Sequence, residues 1–191
     1  MEIPRGIRTD LHGRGHYYFL GTPLQHQPNE IYLLDNFFRL YKFAKIVEIG
    51  TNRGGLSVLF GLHSWMNNGW TWTFDIHNKV GMPTKWLLKN LPVKVMIGDV
   101  FERLECEFIK ERLNSVGRTL LYCDGGDKDK EFNLFAPYLK IDDIIMAHDR
   151  GTKEIPYDNI KDTVQKYNLV PIFEKEIKKL ECRIFMFRKS K

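Results

Sequence analysis

The chain has 191 residues, 43% of them hydrophobic and 13% aromatic, with a formal charge of +5. That is long enough for one domain with a real core and too short for two of ordinary size. No apolar run approaches the roughly 20 residues of a membrane helix, and Cys106, Cys123 and Cys182 are spaced as neither a disulfide framework nor a zinc pattern.

Met1–Arg5 lacks the apolar core of a secretory signal, so a reducing, cytoplasmic setting is expected. Lys and Arg are spread along the chain, with modest concentrations in Lys175–Lys179 and Arg188–Lys191. This reads as a solvated surface rather than a nucleic-acid patch, and no recognisable RNA- or DNA-binding motif accompanies it.

Residues 1–28 are rich in Gly, Pro, His and Arg, with Tyr17-Tyr18-Phe19-Leu20 as their apolar run. They are expected to be an irregular arm or lid, followed by a single domain over 29–191. Pro28-Asn29 opens a helix predicted to reach Phe43, with Ile31, Leu34, Phe38 and Tyr41 on one face. Strand and helix then alternate. Strands are predicted at 45–50, 70–76, 93–97, 119–123 and 144–147, with helices at 56–66, 84–90, 100–114, 130–139 and 158–167 between and after them. Two closing strands, 169–174 and 183–188, are separated by too little chain for a helical crossover, so an antiparallel hairpin is expected. The outline is an α/β fold: a doubly wound, mostly parallel seven-stranded sheet with helices on both faces and an antiparallel C-terminal hairpin.

The turn after the first of these strands is the most informative stretch. Lys45–Ile49 is a β-branched apolar run, and Gly50 and Gly54-Gly55 lead into a helix. Such glycines let backbone lie close against a ligand, beside the unsatisfied N–H groups of the helix start. The spacing does not match the G-x-G-x-x-G of dinucleotide-binding folds.

In open parallel sheets ligands bind outside the carboxyl ends of the strands. Here those ends carry Glu48, Asp75, Asp99, Asp124, His148 and Asp149. Asp75 falls where the ribose hydroxyls of a bound nucleoside would lie, with a solvated turn acid as the alternative. Asp99 reads equally as a helix N-cap with Glu102 as its capping-box partner. Glu48 reads also as an acid holding its own turn, and His148-Asp149 as a strand-end pair bonded to a loop.

Glu48-Ile49-Gly50-Thr51 through Gly54 resembles motif I of class I S-adenosylmethionine (SAM) dependent methyltransferases. With Gly21-Thr22-Pro23-Leu24-Gln25, Pro28, Asp124-Gly125, Ala136-Pro137-Tyr138-Leu139-Lys140 and Ala147-His148-Asp149, it forms an ordered set. That set resembles the cephalosporin hydroxylase-like family and the related macrolide-sugar O-methyltransferases, over roughly residues 20–150. The resemblance implies a class I methyltransferase fold and O-methylation of a hydroxyl on a sugar or small natural product. It implies that Glu48, Gly50, Thr51 and Gly54 bind the methionine part of SAM, Asp75 the ribose and Asp99 the adenine end. It also implies a divalent metal on Asp124, His148 and Asp149, with Asp124 or His148 as the general base.

The related enzymes usually carry an acid where His148 stands. Imidazole is a poorer ligand for Mg²⁺ and favours Mn²⁺, Fe²⁺ or Zn²⁺. Catechol-type relatives place a lysine three residues after the strand-end acid, but here that position is Asp127 and Lys128 follows it. His12, His16, Tyr17, Tyr18 and Arg150 either line an acceptor pocket or pack the arm. The alternatives are a protein of this fold that binds SAM or a nucleoside without catalysis, and an RNA methyltransferase suggested by the positive charge. The exposed arm also raises the prospect of a homo-oligomer.

Overall fold

A computed structural model describes residues 8–9 and 15–191, with side chains from residue 17 onward. Where an irregular arm was expected, β1 (Arg8–Thr9), β2 (Gly15–Phe19) and β3 (Thr22–Leu24) form a small antiparallel sheet. The hairpin turns on Leu20 and Gly21, both at positive φ (49° and 76°), which matches the twist of its strands. Tyr17 and Phe19 pack partly buried against the apolar cluster beneath the first helix.

That helix, α1 (Pro28–Leu40), starts as expected but ends before Phe43 because Tyr41 is already extended. The β-branched run β4 (Lys45–Ile49) is buried along its whole length, as a strand covered on both faces must be. There follow α2 (Gly55–Met66), β5 (Trp70–Asp75), α3 (Met82–Lys89), β6 (Val93–Ile97), α4 (Arg103–Asn114) and β7 (Thr119–Cys123). The chain continues through α5 (Lys128–Phe135), a 3-10 turn at Ala136–Tyr138, β8 (Ile144–His148), α6 (Tyr157–Lys166), β9 (Leu169–Pro171), α7 (Glu174–Lys179) and β10 (Ile184–Lys189).

The seven strands lie in the order β6-β5-β4-β7-β8-β10-β9. β4 to β8 run parallel, and β10 pairs antiparallel with both β8 and β9. The closing pair is therefore antiparallel as expected, but its connection is not a plain loop. Phe173 turns at φ 58° into α7, and Ile177 of that helix is buried with the cluster that contains α1.

Alternation along the strands sorts the core into two layers. Val47, Ile49, Leu121, Cys123, Ile145 and Ala147 face α4, α5 and α6, with Ile109, Phe132, Phe135 and Ile160 opposite them. Ile46, Leu120, Tyr122, Ile144 and Met146 face α1 and α2, where they meet Leu34, Phe37 and Phe60. Glu48 and Tyr122 belong to this second face, so strand register delivers two polar side chains under α1 and α2 at the carboxyl edge. Among the described residues, no helix is long and apolar enough to cross a membrane.

Candidate active site

The strand order reverses at β4 and β7, and above their carboxyl ends lies a cleft of about 780 Å³. Gly50, Thr51, Gly54, Asp75, Asp99, Asp124, His148 and Asp149 all line it. Glu48 stands behind the wall, wholly buried.

The half of the cleft above β4 and β5 is built mainly from backbone. Gly50 leaves β4 at φ 101°, and the N–H groups of Gly50 and Thr51 both donate to the Phe74 carbonyl, at 2.8 and 3.1 Å. The Asp124 N–H donates to the Ile49 carbonyl at 2.9 Å. These strand ends run so close that a Cβ at position 50 would overlap the Asp124 carbonyl. Glycine alone satisfies both the torsion and the space. Gly54 caps α2 with no side-chain hydrogen bond, leaving first-turn N–H groups and the positive end of the helix at the cleft. At Gly55 a Cβ would strike the Pro23 carbonyl, so the N-terminal sheet is seated directly on the start of α2.

Asp75 is held from two sides. Its Oδ2 accepts the Asn52 N–H at 2.7 Å and its Oδ1 the His77 N–H at 2.9 Å, which leaves lone pairs of both oxygens for a ligand. Asp99 does not cap a helix at residue 100, because α4 begins at Arg103 with Glu102 as its N-cap. Its Oδ1 instead accepts the Phe101 N–H at 2.9 Å in a local turn, and the residue stays exposed at the cleft. Glu48 accepts the Ser57 hydroxyl, and its Oε1 has no partner among the described residues. Burial pushes its carboxyl up to about 8, against the Ser57 and Thr73 hydroxyls and with help from the Asp124 and Asp75 charges.

The half above β7 and β8 is built from side chains. Asp124 lies between two imidazoles: His26 Nε2 is 3.3 Å from its Oδ2, and His148 Nδ1 is 3.4 Å from its Oδ1. His26 follows β3, and its Nε2 is also 3.0 Å from the Tyr122 hydroxyl. Behind His148, Glu30 of α1 places both carboxylate oxygens 3.2 Å from Nε2. One ligand atom each from His26, Asp124 and His148 lie within 4.8 Å of one another. Asp149, at φ 65°, has its carboxylate against Lys128 Nζ at 3.1 Å, His148 Nδ1 at 3.4 Å and the Arg183 guanidinium. Lys128 is buried, and its Nζ also meets Glu154 at 2.6 Å and Asp124 at 3.6 Å.

This cluster sets its own ionisation. Burial opposes charge on Asp124, but hydrogen bonds and charge from His148 and His26 more than offset it and hold the carboxyl well below the usual range. Burial likewise opposes charge on Glu30, and the His148 hydrogen bond and charge, then His26, bring it down to about 2. His148 is the counterpart. Burial would lower it, but the Asp124 and Glu30 carboxylates raise it to about 9.

Sequence reasoning missed His26, Glu30, Glu131 and Arg183, and left Lys128 unassigned. Glu30 carries one sequence signal, its place three residues after Gln27, where it accepts the Gln27 N–H at 3.0 Å as a capping-box acid. Glu131, three residues into α5, is pushed up to about 7 by burial and accepts the Gly125 N–H at 3.2 Å. The residues considered for an acceptor pocket are not gathered here. His12 and the side chain of His16 lie outside the described residues. Tyr17 and Tyr18 line a separate apolar groove of about 990 Å³ with Ile31, Leu59 and Met66. Arg150 pairs with Glu174 at 2.8 Å and lies over the Phe185 ring.

No family model and no curated protein matches the chain. Solved structures do. The SAH complex of cmcI-N160 superposes with a TM-score of 0.67 at 13% identity, over 92% of this chain and 83% of that one. The Mg-SAM form of cmcI-D160 gives 0.66 at 15%, over 98% and 87%. The apo structure of CalS11, a TDP-rhamnose 3′-O-methyltransferase of calicheamicin biosynthesis, gives 0.62 at 17%, over 86% and 80%. What is shared at these identities is the fold. This chain has the class I methyltransferase fold.

Proposed function

We propose that the protein is a SAM-dependent O-methyltransferase acting on a hydroxyl of a sugar or small natural product, assisted by a divalent ion. One observation carries this reading: a single cleft is lined by the glycine turn and Asp75 on one side and by a carboxylate–imidazole cluster on the other. The named partners of the similar folds, SAH, Mg-SAM and a TDP-sugar methyltransferase activity, support the same assignment.

The residues fit SAM. Gly50 and Gly54, both at positive φ, turn the β4 loop so that its backbone lines the cleft, Asp75 offers acceptors for two ribose hydroxyls, and Asp99 lines the same cleft where the adenine end would lie. Thr51 and the unpartnered Oε1 of Glu48 set the polarity of the wall near the methionine part. When bound, SAM supplies an electrophilic methyl group, and an ion held by Asp124 and His148, with Asp149 beside them, would lower the pKa of an acceptor hydroxyl. The chain itself aligns the two substrates at the β4–β7 boundary, which supplies much of the acceleration in such transfers. Asp124, which is unprotonated, is the group in place to take the hydroxyl proton; His148, raised to about 9, holds its own proton at neutral pH until an ion displaces it.

Calorimetric titration with S-adenosylhomocysteine tests the reading. Micromolar affinity is expected. An absence of binding at neutral pH, with and without divalent ions, would reduce the assignment to a shared fold. Binding with no methyl transfer across a panel of hydroxylated sugars and natural products would favour a non-catalytic binder.

A further inference from the structure

We propose that the cleft binds a transition-metal ion on His26, Asp124 and His148, with Glu30 as the positioning residue that aims His148 at it. This deepens the reading above and rests on it only for the identity of the cleft; ion binding is measurable without SAM.

Four observations converge. The first is spacing. Metal–nitrogen and metal–oxygen bonds of about 2.0–2.2 Å put adjacent ligand atoms roughly 3.0–3.5 Å apart. The His26–Asp124 and Asp124–His148 separations are 3.3 and 3.4 Å, one to each Asp124 oxygen. One ligand atom from each of the three residues lies within 4.8 Å of the other two.

The second is the direction of His148. A carboxylate only accepts hydrogen bonds, so Glu30 facing Nε2 at 3.2 Å keeps a proton there, and Nδ1 is the ring atom that gives up its proton to an ion. Nδ1 is the atom that points at Asp124. A histidine backed by a carboxylate on its far nitrogen is the recurrent outer arrangement of metal sites. Glu30 is fixed in turn by the Gln27 N–H and the Arg183 N–H, each at 3.0 Å. Its position is thus set by α1 and by the start of β10, independently of His148.

The third concerns Asp149, whose carboxylate is already engaged by Lys128 and Arg183. Two cations at one carboxylate leave it the weaker candidate for a ligand. His26 stands on the other side of Asp124; its Nε2 also lies 3.0 Å from the buried Tyr122 hydroxyl, a contact that an ion on Nε2 would displace.

The fourth is donor chemistry. Two imidazoles and one carboxylate suit Mn²⁺, Fe²⁺, Co²⁺ or Zn²⁺, whereas Mg²⁺ prefers an all-oxygen octahedron.

The test is calorimetry of the EDTA-stripped full chain with Mn²⁺, Zn²⁺ and Mg²⁺, with S-adenosylhomocysteine titrated into the same samples. Mn²⁺ and Zn²⁺ should bind at least about tenfold tighter than Mg²⁺. His26→Ala should cost Mn²⁺ affinity about 100-fold, and Glu30→Gln about 10-fold, in the range of outer-shell losses. Asp149→Asn should cost less than His26→Ala, because its carboxylate is engaged by Lys128 and Arg183. Equal affinity for Mg²⁺ and Mn²⁺, or a larger loss from Asp149→Asn than from His26→Ala, would overturn the proposal. Should His26→Ala fail to fold, pulsed EPR of the Mn²⁺-loaded natural chain decides: coupling to two imidazoles supports the site, and coupling to one refutes it. Cofactor binding without any ion binding would sink this site and leave the methyltransferase reading standing, whereas the reverse would sink that reading and leave the site.

Discussion

The two halves of the cleft are made in opposite ways. Above β4 and β5, positions are fixed by backbone: Gly50, Thr51 and the Asn52 N–H are neighbours in sequence, and their partners Phe74 and Asp75 lie on the adjacent strand. Above β7 and β8, positions are fixed by charge, and the partners come from across the chain: His26 and Glu30 from the N-terminal side, Asp124 and Lys128 from the middle, His148 and Asp149 from β8, and Arg183 from the start of β10. The first half leaves no space for a Cβ at Gly50 or Gly55, and the second rests on carboxylates paired with imidazoles and a buried lysine. Substitutions in the two halves should therefore fail differently.

The largest effect expected is on turnover. Asp124→Asn leaves His26 and His148 without the carboxylate between them, and methyl transfer should fall by about 10³-fold or more while SAH affinity changes by less than about threefold. Retained activity would remove Asp124 from the chemistry. Gly50→Ala attacks the backbone half. The φ of 101° and the overlap with the Asp124 carbonyl should cost about 3 kcal/mol or more in urea denaturation and abolish SAH binding. A loss below about 1 kcal/mol would mean that the two strand ends part easily.

Glu48→Gln separates the halves by pH. The folded pKa of Glu48, about 8, lies above its ordinary value. The stability tied to the neutral acid is therefore fully present below about pH 4.5 and is lost as pH rises through 8. The variant should match the natural chain near pH 5 and exceed it by roughly 2–4 kcal/mol at pH 8. A constant offset would show that Glu48 does not carry that ionisation cost. The charged half behaves with the opposite sign at its acidic end. Glu30, lowered to about 2, contributes stability above pH 4.5 that is lost as pH falls through 2, and His148 contributes below 6.5 and loses it through about 9. Smallest of the four, Asp75→Ala should weaken SAH by about 10- to 50-fold, around 2 kcal/mol, and leave Mn²⁺ affinity unchanged. Unaltered SAH affinity would take Asp75 out of the cofactor site.

The same contrast explains what could be read in advance. The β4 turn was legible because its rule is local: a β-branched run, an acid, spaced glycines and a helical pattern sit in one short stretch. The strand-end acids were legible because alternation fixes where parallel strands stop. That the two closing strands are antiparallel followed from the short connection between them. His26 and Glu30 were not legible, since each looks like something simpler: a polar residue in a loop and a first-turn acid of a helix. Their partnership with His148 spans 118 residues for Glu30 and arises only when α1 crosses the end of β8. The N-terminal sheet was hidden for a different reason. Its strands are short, and their stability comes from packing Tyr17 and Phe19 on α1 and α2 rather than from their own pattern. Asp99 shows the limit of a motif, because a cap signal was present but the helix starts later, at Arg103.

β10 lies between β8 and β9 rather than at the rim of the sheet. As the chain leaves the ribosome, β8 presents an unpaired edge and β9 has no strand to join until residues 184–189 are available. Long-range pairing of this kind closes late. Arg183, just before that strand, brings the N–H that fixes Glu30 and the guanidinium that meets Asp149. The charged half of the cleft would then be completed only when β10 docks, after the glycine-lined half above β4 and β5 has formed.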